Sequence, residues 1–434
     1  MESCDVRTQI TKPTIRNYKT NNKILYLNMG SHSHSYNFSE QFDFSGKAKT
    51  ISIVGIVIGI AAIAFGFLTG HAERTFLNLL LMSYYFTCVC AAGLFFCAVQ
   101  FVAQAGWSAS LLRVPQAFAK VLPFASIILI LVITTGLLTH NLYHHWAEEG
   151  LSVEGSENYD ALIAGKSAYL NIPFFITRLV IFLGSYSIFA VIITKLSANE
   201  DLVGGLDSYK KSIKYSTIFL VIFGFTTPIW AFDVIMSLEA HWFSTMFGWY
   251  NFAAMWVSGM ATIAITVILL RKAGYMSWLN DSHVHDLGKF VFAFSIFWTY
   301  IWFSQFLLIY YANIPEETVY FYKRWEPQFL PWFWLNLAAN FLSPLLILMS
   351  RDAKRKTNTL LAVCILLVCG HWLDYYLMIM PGTIAEEAGF GIIELGVALG
   401  FAGLFTFSML TALGKSSLVP INHPFMEESL NHSI

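Results

Sequence analysis

Apolar residues in this chain gather into long runs, and the breaks between them are short clusters of Gly, Pro and charge. Ten runs are each long enough to cross a hydrocarbon core of about 30 Å at about 1.5 Å per helical residue. They fall at roughly 50–70, 75–104, 121–140, 170–196, 212–236, 245–270, 288–313, 328–350, 357–380 and 390–412. Lipid offers no hydrogen bonds, so each run must satisfy its backbone internally, which selects the helix. The pattern predicts an all-α polytopic membrane protein with about ten transmembrane helices. The stretch from Trp298 to Thr318 shows the period most clearly. Trp298, Trp302, Gln305, Phe306 and Tyr310 recur at three- and four-residue spacing, an aromatic stripe carrying one buried amide. This predicts the second half of a helix running from about Gly288. Pro315 prevents the helix from continuing, and Glu316 and Glu317 are expected in an acidic loop facing water.

Composition narrows the class. The chain is 56% hydrophobic and 12% charged, against about 25% charged in a soluble domain. A net charge of −1 with no basic stripe leaves no nucleic-acid footprint. Of Cys4, Cys88, Cys90, Cys97, Cys364 and Cys369, five lie inside apolar runs, and none forms CxxC or CxxCH. Iron–sulfur ligation, covalent haem attachment and a disulfide framework are therefore unsupported.

Residues 1–46 read as a polar cytoplasmic extension, 47–415 as the ten-helix membrane domain and 416–434 as a cytoplasmic tail. No short apolar core with a small-residue cleavage site precedes the first span, so no cleaved signal peptide is expected. Met29 is an alternative start, and His32 and His34 are too sparse for a metal site. Loop charge sets the orientation. Arg113, Lys120, Lys195, Lys210, Lys211, Lys214, Arg271, Lys272, Lys289, Arg351, Lys354, Arg355 and Lys356 follow even-numbered spans, whereas only Arg74, Lys166, Lys323 and Arg324 follow odd-numbered ones. The positive-inside rule then places both termini in the cytoplasm.

An ionisable side chain within a span costs at least a few kcal/mol, so each needs a partner or a task. His140 closes span 3, Arg178 lies two turns into span 4, Asp233 is near the end of span 5, and Glu394 is one turn into span 10. His371 and Asp374, three apart in span 9, share a face with Tyr375 beside them. All six fall in the outer half, and the inner half reads as far poorer in charge. Arg178 and Asp233 read equally well as a buried ion pair, and Glu394 as an interfacial hydrogen-bonding group. His371 with Asp374 resembles a proton relay or a quinol-binding pair. Bis-histidine haem is disfavoured, because His140 and His371 are the only near-membrane candidates and both have nearer polar company.

Three segments together carry a family resemblance: Ser237-Leu-Glu-Ala-His-Trp-Phe-Ser-Thr-Met-Phe-Gly-Trp-Tyr250, Ser304 to Thr318, and His371-Trp-Leu-Asp-Tyr-Tyr-Leu-Met-Ile-Met-Pro381. They resemble the NrfD/polysulfide-reductase type of membrane subunit. The closest likeness is to the second such subunit of alternative complex III, a bacterial quinol:cytochrome c or quinol:oxidase oxidoreductase. The likeness covers about 47–415. It implies spans 2–5 and 6–9 as two four-helix bundles with spans 1 and 10 outside them, in a bacterial inner membrane. It also implies partners: a paralogous NrfD-like membrane subunit, multihaem and monohaem cytochrome c subunits, an iron–sulfur subunit and a terminal oxidase. On this resemblance haem c and iron–sulfur clusters reside in the partners, quinol is oxidised in the complex, and this chain binds no cofactor. Its role would be structural and proton-conducting, with His140, Arg178, Asp233, His371, Asp374 and Glu394 as proton-path candidates.

Two other readings stay open. One makes the chain a quinol-binding anchor of a related respiratory complex. The other makes it a secondary transporter built from two four-helix halves, although paired Gly/Pro breaks at matched depths are missing. Small residues also line one face of span 1 (Gly55, Gly59, Ala62, Gly66) and of span 10 (Gly396, Gly400, Gly403). Such faces let backbones approach closely, and at least one of them is expected to dock a neighbouring subunit.

Overall fold

A computed structural model describes residues 38–384 and 388–433. Cys4, Met29, His32, His34 and most of the polar extension lie outside the described residues. Among the described residues ten helices are long and apolar enough to cross a membrane, and the protein is an all-α multi-pass membrane protein. They are α1 (Gly46–Leu68), α2 (Ala72–Val102), α3 (Arg113–Leu138), α4 (Ile172–Val203), α5 (Asp207–Val234), α6 (Met246–Lys272), α7 (Asp281–Ala312), α8 (Leu330–Leu348), α9 (Thr357–Gly382) and α10 (Ile392–Leu413).

The helices α2, α3, α4 and α5 pack as one ring of four, and α6, α7, α8 and α9 as a second. The rings meet where α2 packs on α6, and α5 also packs on α6. In both α2 and α6, 83% of the most apolar window is buried, against 22% in α1. Loops after odd-numbered helices gather on one face, shown by His241 against Asp160 and by Arg74 against Gly389. The tail gathers with the even-numbered loops on the other, where Ser429 reaches Ser110. These are called the acidic and the basic face below.

Helix ends carry local reasons. Asn171 and Asn280 accept from backbone N–H groups in the first turns of α4 and α7, satisfying donors that a helix start leaves open. Asn313 closes α7 in the left-handed region at φ 48°. The expected acidic loop after it is instead a helix, Pro315–Arg324. Pro315 occupies its first turn, where the missing N–H costs nothing, and Glu316 and Glu317 sit at the positive end of its dipole. A five-residue π segment, Ala338–Leu342, interrupts α8 just before Pro344. The wider turn removes the clash that a proline ring makes with the carbonyl four residues back.

The two small-residue faces, expected to dock a neighbouring subunit, pack on each other. A Cβ added at Gly59 would lie 2.4 Å from Gly400 Cα, and one at Gly396 would lie 2.3 Å from Ala62 Cβ. The first and last spans thus form a tight antiparallel pair against α2 and α3. The opposite face of α1 is bare: Ile51 is 70% and Ile60 62% exposed.

Candidate functional site

Every helix of the second ring contributes to Asp374, which is fully buried on α9. Tyr250 of α6 donates its hydroxyl to Oδ1. Asn336 of α8 donates to the same oxygen at 2.9 Å, and Trp298 Nε1 of α7 donates to Oδ2 at 3.0 Å. A buried carboxylate without partners costs several kcal/mol, and these three donors supply partners without neutralising it. One turn earlier, His371 Nδ1 stands 3.6 Å from Asp374 Oδ2, beyond hydrogen-bond reach. Neither ring nitrogen of His371 has a hydrogen-bond partner among the described residues. The Trp298 ring holds the imidazole edge-on, with centroids 5.3 Å apart. Asn340, inside the π segment, donates to Asn336 at 2.6 Å and steadies it.

Toward the acidic face, a chamber of about 20 Å³ opens between Tyr250, Gln305, Arg324 and Asn336, walled by aromatic rings. That is room for one water. Gln305 Oε1 and Arg324 Nε are buried with no hydrogen-bond partner among the described residues, so both have use for one. Beyond it Arg324 donates to Glu239 at 2.8 Å, and Lys323 Nζ lies 3.2 Å from the same carboxylate. His371, Asp374, the chamber and Glu239 therefore form a polar column through the acidic half of the second ring.

The first ring holds its carboxylate differently. Arg178 of α4 grips Asp233 of α5 through two bonds, of 2.8 and 3.0 Å. The Tyr169 hydroxyl adds a third at 2.8 Å, and its carbonyl accepts from Arg178 at 3.0 Å. Its ring lies 3.8 Å from the guanidinium carbon. Burial, and then the Asp233 carboxylate, push the Tyr169 hydroxyl well up. Glu394 of α10 is also closed: it accepts from Arg74 at 2.7 and 2.9 Å, from Asn78 at 3.1 Å and from the Gly391 N–H at 2.8 Å. His140 is exposed beyond the end of α3, at φ 51°, apart from all three clusters. The structure thus brings together Arg178 with Asp233 and His371 with Asp374, ties Glu394 to α2, and leaves His140 on the surface.

Buried charge also gathers at the basic ends of α3 and α4. Arg113 is 1% exposed and pairs with Asp201, while also donating to Gln116 at 2.7 Å. Glu200 beside it is fully buried, and neither carboxylate oxygen has a partner among the described residues. Helix α3 begins at Arg113 rather than near 121, and α4 runs to Val203 rather than 196. Residues assigned to loops are therefore helical. The tail seals this cluster, with Asn422 donating to the Asp201 carbonyl at 2.9 Å. His423 packs on Tyr209 with centroids 5.3 Å apart, and burial pushes its pKa down to about 4.

Sequence reasoning also missed Asn336, Asn340, Arg74 and Arg324 as site residues. The i, i+4 spacing of the two asparagines within an apolar run was the available signal. Compared with known proteins, the chain matches no family model and no curated protein.

Proposed function

We propose that this chain is a cofactor-free membrane subunit of a respiratory quinol:cytochrome c or quinol:oxidase oxidoreductase of the alternative complex III type. It lies in a bacterial inner membrane with both termini cytoplasmic, and gives its complex structure and a proton path toward the outer side. One observation carries the reading: Asp374 is held by neutral donors from three helices, beside an unpartnered His371. A proton relay needs ionisable groups joined by hydrogen bonds or single waters, and no redox centre. The chamber between Asp374 and the Arg324–Glu239 pair suits a water and is too small for a quinone ring, which favours the relay over a quinol site. The resemblance of the Ser237–Tyr250, Ser304–Thr318 and His371–Pro381 segments supplies the host complex. Its expected partners are a paralogous NrfD-like subunit, multihaem and monohaem cytochromes c, an iron–sulfur subunit and a terminal oxidase.

The test is Asp374→Asn, an exchange that keeps the side chain's shape. The variant should co-migrate on native gels with c-type haem and iron–sulfur subunits, as the unaltered protein should. Its proton release per electron should fall, or its turnover drop by about tenfold or more. Unchanged turnover and proton stoichiometry in the assembled variant would leave only a structural role. Migration free of haem and iron–sulfur subunits would remove the host complex itself.

A further inference from the structure

A large cavity lies away from the Asp374 column. It is a partly open slot of about 490 Å³ between α2, α6, α9 and α10. Phe86, Val89, Ile265, Leu269, Phe405 and Met409 supply much of its wall. We infer that this slot holds one acyl chain of an anionic phospholipid, whose phosphate rests at the basic face.

Three observations select that occupant. The first is the state of the few polar groups in the wall. Thr262, Thr266 and Thr406 each donate to the carbonyl four residues back, at 2.7, 2.8 and 2.8 Å. The Tyr85 hydroxyl donates to the Val368 carbonyl at 2.8 Å. No wall hydroxyl keeps a proton for a ligand, and a quinone ring buried here would leave its carbonyls without donors. An aliphatic chain asks for none.

The second is length. Along α10 the slot is lined from Phe401 to Leu410, about 14 Å at 1.5 Å per residue, close to half of a hydrocarbon core of about 30 Å. It is one leaflet deep. Ala48 and Ala273 line it at the basic end, where α1 begins and α6 finishes.

The third is charge at that end. Lys47 and Lys49 stand on either side of Ala48 in the first turn of α1, and both are exposed. Lys415, also exposed, follows the end of α10. A lysine at the end of a spanning helix can keep its ammonium group in water, at the level of a phosphate headgroup. Each α1–α10 contact described above holds α10 in the place that forms the wall, so the slot belongs to the fold rather than to loose packing.

The full-length protein, with whatever chains accompany it, is purified in maltoside, stripped by detergent exchange and examined by native mass spectrometry. Phosphatidylglycerol, phosphatidylcholine or an isoprenoid quinone is then added back. One phosphatidylglycerol should be retained, in preference to phosphatidylcholine. Ala402→Phe and Thr406→Leu, which put carbon into the slot, should each lower that retention by roughly tenfold. Lys47→Gln with Lys49→Gln is an exposed double change that leaves packing alone. It should abolish the preference for the anionic lipid while leaving the acyl chain bound. Unchanged retention in both filled variants would overturn the slot. A preference untouched by the lysine changes would overturn the anionic headgroup, and displacement of the lipid by equimolar quinone would make this a quinone-tail site instead.

Discussion

Each four-helix ring buries a carboxylate in its acidic half, and the two are held in opposite ways. Asp233 is closed, because a guanidinium grips it through two bonds and a tyrosine adds a third. Asp374 is reached only by neutral donors, with an unpartnered imidazole 3.6 Å away and a water-sized space nearby. The first arrangement resists change, since the carboxylate's charge is matched by a guanidinium. The second keeps groups in reserve that a moving proton can occupy. Burial of a carboxylate is therefore no guide to its task. What decides is whether its surroundings are saturated.

The largest effect should come from breaking the closed pair. Arg178→Ala leaves Asp233 buried and uncompensated, at an expected cost of about 3–5 kcal/mol, read as a lowered unfolding midpoint in detergent. Replacing both residues by Leu should recover most of that loss. If the double variant is no better than the single, Asp233 is not held as a pair. Tyr250→Phe removes one of three donors to Asp374 and should cost about 1.5–3 kcal/mol. A loss equal to that of Arg178→Ala would mean the second site is as saturated as the first, and the contrast would collapse.

Mild acid separates the rings from the tail beneath them. Burial holds His423 near pKa 4, whereas in the unfolded chain it titrates near 6.5. Between those values the unfolded chain binds a proton that the folded tail excludes, so stability is full above pH 6.5 and declines below it. At pH 5 the loss should be about 2 kcal/mol, followed by amide exchange of residues 417–433. His423→Gln should lessen the dependence; an unchanged slope would assign the acid sensitivity elsewhere. The smallest effect should come from Gln305→Leu. The amide oxygen has no hydrogen-bond partner among the described residues, so stability should change by less than about 1 kcal/mol. A loss as large as that of Tyr250→Phe would place Gln305 in fixed packing rather than beside a mobile water.

Much of this contrast was legible in the chain, though unevenly. The ten spans could be read because a run of about twenty apolar residues has few other destinations. His371 and Asp374 could be placed on one face from their spacing alone. Their donors could not, because Tyr250, Trp298 and Asn336 come from three other helices, and no local pattern records a meeting across the bundle. Arg113 and Asp201 looked like loop residues because charge usually marks the end of an apolar run, and their pairing across α3 and α4 leaves no local pattern. The Arg74–Glu394 pair was hidden in the same way, with Arg74 assigned to a loop. The glycine faces of spans 1 and 10 were visible, but the identity of their partner depends on topology.

That partnership has a consequence for how the chain is made. Ribosomes deliver α1 first among the helices and α10 last, with more than 300 residues between Leu68 and Ile392. At about 5–20 residues per second, the first helix waits on the order of tens of seconds for its mate. During that interval its glycine ridge is uncovered in the bilayer, where any helix with small residues could settle on it. Arrival of α10 ends the wait by covering that ridge. A chain arrested before Ile392 carries an open seam, a feature by which membrane proteases can recognise unfinished copies.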